Sequence, residues 1–216
     1  MQINNLTVSY GKNEVYDNFN LEFDEAGVTC LLGESGCGKT TALNAIAGLI
    51  PYSGNITPVK VSYVFQTPRL VPNLTVLNNL TLIGTGQNQA KDMLEKVGLK
   101  DKANAYPKTL SGGEAQRVSL CRAFLHPAEF LLLDEPFSSL DLKPKLAAMD
   151  LFKSLQQHSG RGALFVTHDI DEACYLADKI FVLKKGEVTE QFTNENRQPF
   201  GVNSDLRQNL IQTLLK

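Results

Sequence analysis

Apolar and polar residues alternate along the first 27 residues of the chain. The apolar positions of the two alternating runs are Ile3, Leu6, Val8, Phe19, Leu21 and Phe23. A period of two residues is typical of a strand that buries one of its faces. The turn-forming pair Tyr10-Gly11 separates the two runs. We therefore predict an antiparallel β region here.

A different pattern begins at Val28. The residues VTCLL form a short apolar run, a glycine-rich turn follows, and TTALNAIAGL has helical periodicity with Gly48 at its end. The simplest interpretation of this segment is a strand, a loop and a helix. Another apolar run, VSYVF, ends at Phe65 and predicts a further strand.

The middle third of the chain, from Leu70 to about residue 125, has no strand-like pattern. Its apolar residues recur at helical spacing instead. We predict helices near residues 76–83, 89–97 and 113–124.

Continuous apolar runs return after His126-Pro127. The runs FLLLD and ALFVTHD suit strands buried on both faces of a parallel sheet, with a helix near residues 150–155 between them. The segment KIFVLKKGEVTEQF predicts a hairpin that turns at Lys185-Gly186. In the tail, apolar residues stand at helical spacing at Leu206, Leu210, Ile211, Leu214 and Leu215. We expect this last helix to pack on its own domain, with partner binding as the alternative.

The composition is that of one soluble globular domain of 216 residues, with 43% hydrophobic and 20% charged residues. The chain has 21 Lys and Arg against 23 Asp and Glu, a net charge of -2, and no basic block. It therefore lacks the positive footprint that binding to nucleic acid or an anionic membrane usually needs. We expect no nucleic-acid partner.

The start of the chain, MQINNLTVSY, has neither a basic segment nor an apolar signal core, so we expect a cytoplasmic protein. No apolar run reaches the roughly 18 residues of a membrane-spanning helix, so a membrane function would need another, spanning subunit. The four scattered cysteines suit a reducing compartment and argue against a structural zinc site. These are Cys30, Cys37, Cys121 and Cys174.

The glycine-rich turn matches the phosphate-binding pattern GxxxxGK[ST], and it lies between a predicted strand and a predicted helix. Glycines let successive backbone N–H groups point at phosphate oxygens, and the helix N-terminus adds about half a positive charge. Lys39 would bridge the outer phosphates, and the Thr40 hydroxyl would bind Mg²⁺. The nucleotide-binding residues of this loop are Gly33, Glu34, Ser35, Gly36, Cys37, Gly38, Lys39, Thr40 and Thr41.

The predicted strand FLLLD ends in two adjacent acids, Asp134 and Glu135. Alone, such acids often belong to a solvated loop, but beside a phosphate loop they have natural partners. Asp134 is placed to hold Mg²⁺, and Glu135 to orient or deprotonate an attacking water. These features together predict a P-loop nucleotidase, which leaves open a small-molecule kinase, a motor and a transporter subunit.

The segment LSGGEAQR opens another predicted helix. Its simplest interpretation is a capping box, in which Ser111 and Glu114 satisfy the first backbone N–H groups. A cap does not require Gly112 and Gly113, whereas close approach of a phosphate to the helix does. The sequence thus predicts a second phosphate-type helix start, which a single nucleotide need not share with the first.

In this order the motifs resemble those of the ATP-binding subunit of ABC transporters, and the resemblance covers essentially the whole chain. LSGGEAQR is similar to the signature sequence of that family. Other family elements have counterparts at Gln66, Asp141 and His168, and at Tyr10, the aromatic that would stack on adenine. Tyr16 is the alternative for that stacking role.

The resemblance implies an α/β fold with a RecA-like, mostly parallel sheet, an N-terminal antiparallel β region and an inserted helical subdomain. It implies a single ABC ATPase domain over residues 1–216. The nucleotide-binding core would comprise residues 1–67 and 127–216, and the helical signature subdomain residues 68–126.

The resemblance also implies how the chain works. Two copies, or this chain and a paralogous subunit, would sandwich two ATP molecules, each between the phosphate loop of one and Ser111 of the other. Gln66 would sense Mg²⁺ and the attacking water, His168 would contact the γ-phosphate, and Asp141 would couple the sites. Glu135, His168 and Lys39 would be the catalytic residues, with Thr40, Gln66 and Asp134 around the metal.

The implied partners are separate permease subunits, which would contact the helical subdomain and hold the chain on the inner face of the membrane. GESGCGKTT and LLDEPFSSLD most resemble bacterial importers of the nitrate, sulfonate and taurine type, so we expect an extracytoplasmic binding protein in the complete system. The segment between Gly54 and Gln66 is shorter than in that group, and TPRLVPNLTVLNNL matches it only in part. The transported substrate therefore stays open.

Two other classes compete with this interpretation. The first is a soluble ABC-type ATPase of DNA repair, translation or Fe–S assembly. A translation-type protein usually has two ATPase domains in one chain, and a repair-type protein has a long coiled-coil or zinc-bearing insertion, neither of which the sequence contains. A P-loop kinase would leave LSGGEAQR unexplained, and nothing resembles an acceptor-binding lid.

Cys37 suggests a separate hypothesis, because it lies inside the phosphate loop, beside a helix N-terminus and near Lys39. That environment favours the thiolate. We therefore expect alkylating reagents to inactivate the ATPase and MgATP to protect it. The alternative is a small structural residue.

Overall fold

The computed structural model describes residues 1–195, 197, 199–202 and 204–215. Within these ranges the strands, in chain order, are β1 (Gln2–Tyr10), β2 (Asn13–Glu22), β3 (Val28–Leu32), β4 (Ser53–Ile56), β5 (Val61–Val64), β6 (Phe130–Asp134), β7 (Gly162–Thr167), β8 (Lys179–Lys184) and β9 (Glu187–Thr193). The α-helices are α1 (Lys39–Ile46), α2 (Val76–Thr81), α3 (Gln87–Lys96), α4 (Gly112–Leu125), α5 (Leu142–Ser159), α6 (Ile170–Leu176) and α7 (Asp205–Leu215).

An antiparallel sheet has the strand order β2-β1-β4. The alternating pattern produces it, since Ile3, Leu6 and Phe19 lie on its buried face. The antiparallel region predicted for the first 27 residues is thereby confirmed. The pattern does not predict β4, because this edge strand has the polar sequence SGNI and buries only Ile56 in part.

The second sheet has the order β5-β6-β7-β3-β8-β9 and is parallel except for the antiparallel pair β8 and β9. β3 and β7 are buried along their whole length, which explains why VTCLL and ALFVT show no alternation. The mostly parallel core and the hairpin turn at Lys185-Gly186 are both as predicted.

Residues 68–126 contain α2, α3 and α4 but no strand. The three helices share a hydrophobic cluster that includes Val76, Leu77, Leu80, Ala90, Leu94, Val97, Val118, Cys121 and Leu125. On the opposite face of α4, Leu120 and Ala123 join the core beside the six-stranded sheet. α4 therefore connects the helical segment to the sheet, while the subdomain boundaries themselves stay predictions.

The last helix, α7, packs on its own chain as predicted. Leu210 is fully buried, and the Arg207 guanidinium donates to the Asp171 carboxylate at 2.7 Å. At the other end of α7, the Lys184 ammonium donates to the Thr213 carbonyl at 2.8 Å. Among the helices that the described ranges form, none has the length and apolar character of a membrane span.

Candidate active site

Three of the predicted motifs meet at one edge of the six-stranded sheet, because they follow neighbouring parallel strands. In the register of the sheet, Leu32 of β3 lies beside Thr167 of β7, and Val166 lies beside Asp134 of β6. The phosphate loop, the acidic pair and His168 come directly after these strand ends. The sheet topology thus brings together groups that are far apart in the sequence.

The glycines of the phosphate loop serve two different purposes. Gly36 and Gly38 have φ angles of 84° and 111°, which side chains of L-residues rarely adopt. At Gly33 the reason is space, since a Cβ there would lie 2.3 Å from the Leu183 carbonyl oxygen. The loop is therefore shaped by its own backbone and by close packing against β8.

Lys39 is the first residue of α1 and is only 4% exposed. Its ammonium donates to the carbonyl oxygens of Gly33 at 2.7 Å and Glu34 at 2.8 Å. The same ammonium lies 3.8 Å from Glu135 Oε1. These oxygens compensate the buried charge and hold it between the loop and the acidic strand end.

Thr40 and Asp134 face each other across the site. The Thr40 hydroxyl donates to Asp134 Oδ1 at 2.8 Å, and the Tyr63 hydroxyl lies 3.5 Å from Asp134 Oδ2. Burial raises the pKa of the Asp134 carboxyl, and the hydrogen bond from Thr40 opposes that shift. Hydroxyl and carboxylate oxygens are hard ligands that suit Mg²⁺, which also takes phosphate oxygens and water. The described ranges contain no group of three or more His, Cys, Asp or Glu side chains that could hold a metal ion.

Glu135 lies at the centre of this group of side chains. Its φ angle of 41° is left-handed, which is a strained conformation for a residue with a side chain. Its backbone N–H donates to the Val166 carbonyl. Its carboxylate accepts from the Gln66 amide at 3.4 Å and lies 3.2 Å from His168 Nδ1. Together with Lys39, this places three of the residues predicted for the site around a single carboxylate.

A cavity of about 280 Å³ opens over these groups. Its lining residues are Val15, Ser35, Gly36, Gly38, Lys39, Thr40, Thr41, Gln66, Asp134 and Glu135. Sequence reasoning missed Val15 and the neighbouring Tyr63. Val15 reaches the cavity from β2, a long-range placement for which no local pattern gives a signal.

The two candidate aromatics have different environments. Tyr10 is 50% exposed at the end of β1, so its predicted stacking on adenine stays a prediction. Tyr16 is only 1% exposed, and its hydroxyl donates to the Gly38 carbonyl at 2.9 Å. Tyr16 therefore supports the phosphate loop from beneath, and the alternative that it stacks on a base is wrong.

The thiolate hypothesis for Cys37 is also wrong. Cys37 is 9% exposed and its sulfur lies beneath Gly33, where a Cβ on that glycine would approach within 2.8 Å. Burial raises the pKa of the thiol, and the nearby Lys39 only partly offsets this effect. Desolvation outweighs the positive end of the helix, which favours the neutral thiol over the thiolate.

The LSGGEAQR segment forms the predicted capping box at the start of α4. The Ser111 hydroxyl accepts from the Glu114 N–H, and the Glu114 carboxylate accepts from the Ser111 N–H. A Cβ at Gly113 would lie 2.7 Å from Pro144 Cβ, whereas one at Gly112 would have ordinary contact with its surroundings. Gly113 thus has a packing reason within the chain. In the described chain, none of Ser111, Gly112 and Gly113 lines the cavity over the phosphate loop.

Comparisons with known proteins agree with this geometry. A family model described as ABC transporter matches residues 16–138. The aliphatic sulfonates import ATP-binding protein SsuB 3 of Paraburkholderia xenovorans is 40% identical over 220 residues, which is 99% of this chain and 89% of that protein. SsuB 1 of Paracoccus denitrificans is 41% identical over 223 residues, covering 98% of this chain and 92% of that protein.

Solved structures agree as well. A dimeric, post-hydrolysis ATP-binding cassette bound to ADP and Pi aligns with a TM-score of 0.78 at 30% identity, covering 90% of this chain and 99% of that chain. The predicted P-loop α/β fold and the predicted family resemblance are therefore confirmed. Since the relatives match nearly the full length of the chain and the phosphate loop meets an acidic strand end, the chain belongs to the ABC transporter family as an ATP-hydrolysing subunit.

Proposed function

We propose that this chain powers an importer by hydrolysing ATP with the groups gathered around Glu135, and that it works as a dimer on separate permease subunits. The observation that carries the proposal is the convergence of Lys39, Gln66 and His168 on that one carboxylate. A structural ion pair would not need a strained backbone at its centre.

The proposed reaction is the in-line attack of water on the γ-phosphate of ATP. Glu135 accepts a proton from the water as its oxygen bonds to phosphorus, and the bond from phosphorus to the β,γ-bridging oxygen breaks. The products are ADP and inorganic phosphate. The proton held by Glu135 then leaves with the phosphate or returns to water.

Binding of the nucleotide falls to the phosphate loop. Its N–H groups and the start of α1 favour negative charge, and the Lys39 ammonium would exchange its carbonyl partners for phosphate oxygens. Ser35, Thr41 and the remaining loop residues would complete the cradle. We assign adenine stacking to Tyr10, whose ring is exposed to receive it.

Mg²⁺ would be held by Thr40, Asp134 and Gln66 together with phosphate oxygens. The support is that the Thr40 hydroxyl oxygen and Asp134 Oδ1 lie 2.8 Å from each other beside the phosphate loop. When bound, the ion would neutralise charge on the outer phosphates. The Gln66 amide also donates to the Ser138 hydroxyl at 3.2 Å, so Ser138 and Glu135 together hold it at the edge of the cavity.

The second phosphate-type helix start is the reason to propose a dimer. Ser111 and Gly112 lie outside the cavity of their own loop and would close over the ATP of another subunit. An open Gly112 allows close approach of a phosphate, whereas Gly113 is needed for packing on Pro144. A related cassette of known structure is dimeric, which supports this arrangement.

The complete system would include permease subunits docked on the helical segment and an extracytoplasmic binding protein, with this chain on the inner face of the membrane. Relatives of about 40% identity are named import proteins for aliphatic sulfonates. Aliphatic sulfonates are therefore the substrate class to test first. No nucleic acid takes part in this proposal.

The first experiment measures MgATP hydrolysis and ATP binding by the purified chain and its Lys39→Ala variant. We expect the variant to bind ATP at least about tenfold more weakly, because it loses the cation that contacts the outer phosphates. Unchanged binding would contradict the assignment of Lys39. Lys12→Ala is a control on the surface turn between β1 and β2.

The second experiment tests the partner. Affinity purification from membranes should recover a polytopic membrane protein, and deletion of the gene should abolish uptake of an aliphatic sulfonate such as ethanesulfonate. ATPase activity that is stimulated by nucleic acid, without a membrane partner, would instead favour a soluble ABC-type ATPase and overturn the transport assignment.

A further inference from the structure

A buried ion cluster lies beside His168 and outside the cavity of the phosphate loop. The Lys145 ammonium, from the first turns of α5, lies 2.6 Å from Asp169 Oδ2 and 2.6 Å from Glu172 Oε1. The Lys145 and Glu172 side chains are 12% and 1% exposed. The Asp169 side chain is the most exposed of the three, at 29%, so the cation and two carboxylates are held together in a mostly buried place.

The cluster fixes both neighbours of His168 in the chain. The Thr167 hydroxyl donates to Glu172 Oε2 at 2.6 Å and accepts from the Asp169 N–H at 3.0 Å. The second oxygen of Asp169 accepts from the N–H groups of Asp171 and Glu172, which starts α6. The backbone on either side of His168 therefore depends on the same few contacts.

His168 itself is held less firmly. Its side chain is 51% exposed, and Nδ1 lies 3.2 Å from Glu135 Oε2. Because half of the ring is in solvent, packing alone does not define its position. The position of the imidazole follows mainly from the backbone that the ion cluster holds.

The helix that carries Lys145 also begins shortly after Glu135 in the chain. The Lys145 N–H donates to the Asp141 carbonyl in the first turn of α5. A few residues earlier, the Ser138 hydroxyl donates to the Glu135 carbonyl at 3.0 Å. Lys145 therefore stands on the helix that follows the loop of Glu135, and its side chain reaches the loop of His168.

We infer that Lys145 is a positioning residue for ATP hydrolysis, holding the loop of His168 where the imidazole meets Glu135. This inference rests on the proposed function of His168 and Glu135. Without Lys145, Asp169 and Glu172 are two carboxylates at close range that have lost the cation they share. Burial raises the pKa of Glu172 and the hydrogen bond to Lys145 opposes this rise, so removing the cation favours protonation of Glu172 and rearrangement of the loop.

The test is the MgATPase activity of the purified full chain with Lys145→Met. We expect kcat to fall about tenfold while the KM for ATP changes by less than about twofold, since the phosphate loop is untouched. Lys145→Arg should restore most of kcat, because a guanidinium keeps the charge and spans both carboxylates. Lys153→Met is the matched control on the same helix, where the lysine ammonium lies over the Tyr175 ring, 4.5 Å from its centroid.

A double-variant comparison separates positioning from a general structural effect. In a His168→Ala background, Lys145→Met should lower kcat no further, because the group it positions is already gone. A further tenfold fall in that background would overturn the inference. A wild-type kcat for Lys145→Met would also overturn the inference, provided that His168→Ala lowers kcat.

Lys145→Met alone leaves a buried carboxylate unpaired and is at risk of misfolding. Lys145→Met with Glu172→Gln removes both charges and keeps an oxygen that accepts from the Thr167 hydroxyl. This variant should fold and still show the lowered kcat, since Asp169 has lost its partner, and a wild-type kcat would overturn the inference. A wild-type rate for His168→Ala would instead contradict the proposed function of His168.

Discussion

At the scale of single residues, Cys37 shows burial outweighing a favourable electric field. The thiol sits beside Lys39 and the start of α1, yet burial raises its pKa above the ordinary value of 9.0. A raised pKa means that only a small fraction of the thiol is thiolate at neutral pH. This fraction increases with pH until the pH passes the raised pKa.

We therefore predict slow alkylation of Cys37 at neutral pH. The rate of iodoacetamide labelling should rise about tenfold per pH unit and level off only above pH 9, which mass spectrometry of the labelled peptide would measure. In urea all four cysteines should react at ordinary rates. A labelling rate that is already level at pH 7.5 would restore the thiolate hypothesis.

Residues that belong to a local sequence motif were predictable, and residues whose role comes only from contacts with other elements were not. Gly36 and Gly38 leave a spacing pattern because the turn requires their left-handed backbone. Tyr16 and Lys145 leave none, since their partners lie on other elements. In the sequence, a tyrosine that supports a loop cannot be distinguished from one that stacks on a base, because the two differ only in the burial of the ring.

At the scale of elements, the hairpin of β8 and β9 braces the phosphate loop. The Gly186 N–H donates to the Cys37 carbonyl at 3.1 Å, and φ at Gly186 is 80°. A Cβ at Gly186 would lie 2.2 Å from the Val15 carbonyl oxygen. The turn therefore touches both the loop and the wall of the cavity.

We predict that Gly186→Ala destabilises the fold by about 3 kcal/mol or more and also weakens ATP binding, because the turn must move away from the loop. Gly160→Ala is the matched control: Gly160 has a φ of 63° at the end of α5, with open space around it. That change should cost only about 1 kcal/mol and leave ATP binding intact. Urea unfolding and nucleotide titration would measure both effects, and equal losses for the two variants would contradict the bracing role.

Elements were predictable where burial imposes a pattern on the sequence. The fully buried β3 and β7 read as continuous apolar runs, and the half-buried β1 and β2 read as alternation. β4 was not predictable, because an exposed edge strand is held by backbone hydrogen bonds to β1 and needs no apolar pattern.

At the scale of the whole molecule, the proposed hydrolytic centre and the proposed second phosphate-binding helix start lie apart in the chain. Ser111 caps α4 away from the cavity that Glu135 and Lys39 line. If a second copy brings its Ser111 to that cavity, ATP becomes the link between two chains. Its hydrolysis would then weaken the link, because the attraction to the γ-phosphate is lost.

We predict that Glu135→Gln with MgATP forms a stable dimer of twice the 23.8 kDa of one chain. The amide keeps the shape of the carboxylate and its contact with Gln66, but it accepts no proton from water, so ATP stays bound between the subunits. Light scattering after size exclusion measures the mass, and the retained nucleotide identifies the trapped state. Adding Lys39→Ala to the same chain should abolish both, since nucleotide binding precedes closure. Normal turnover by Glu135→Gln would contradict its role as the base, and a trapped monomer with bound ATP would contradict the shared site.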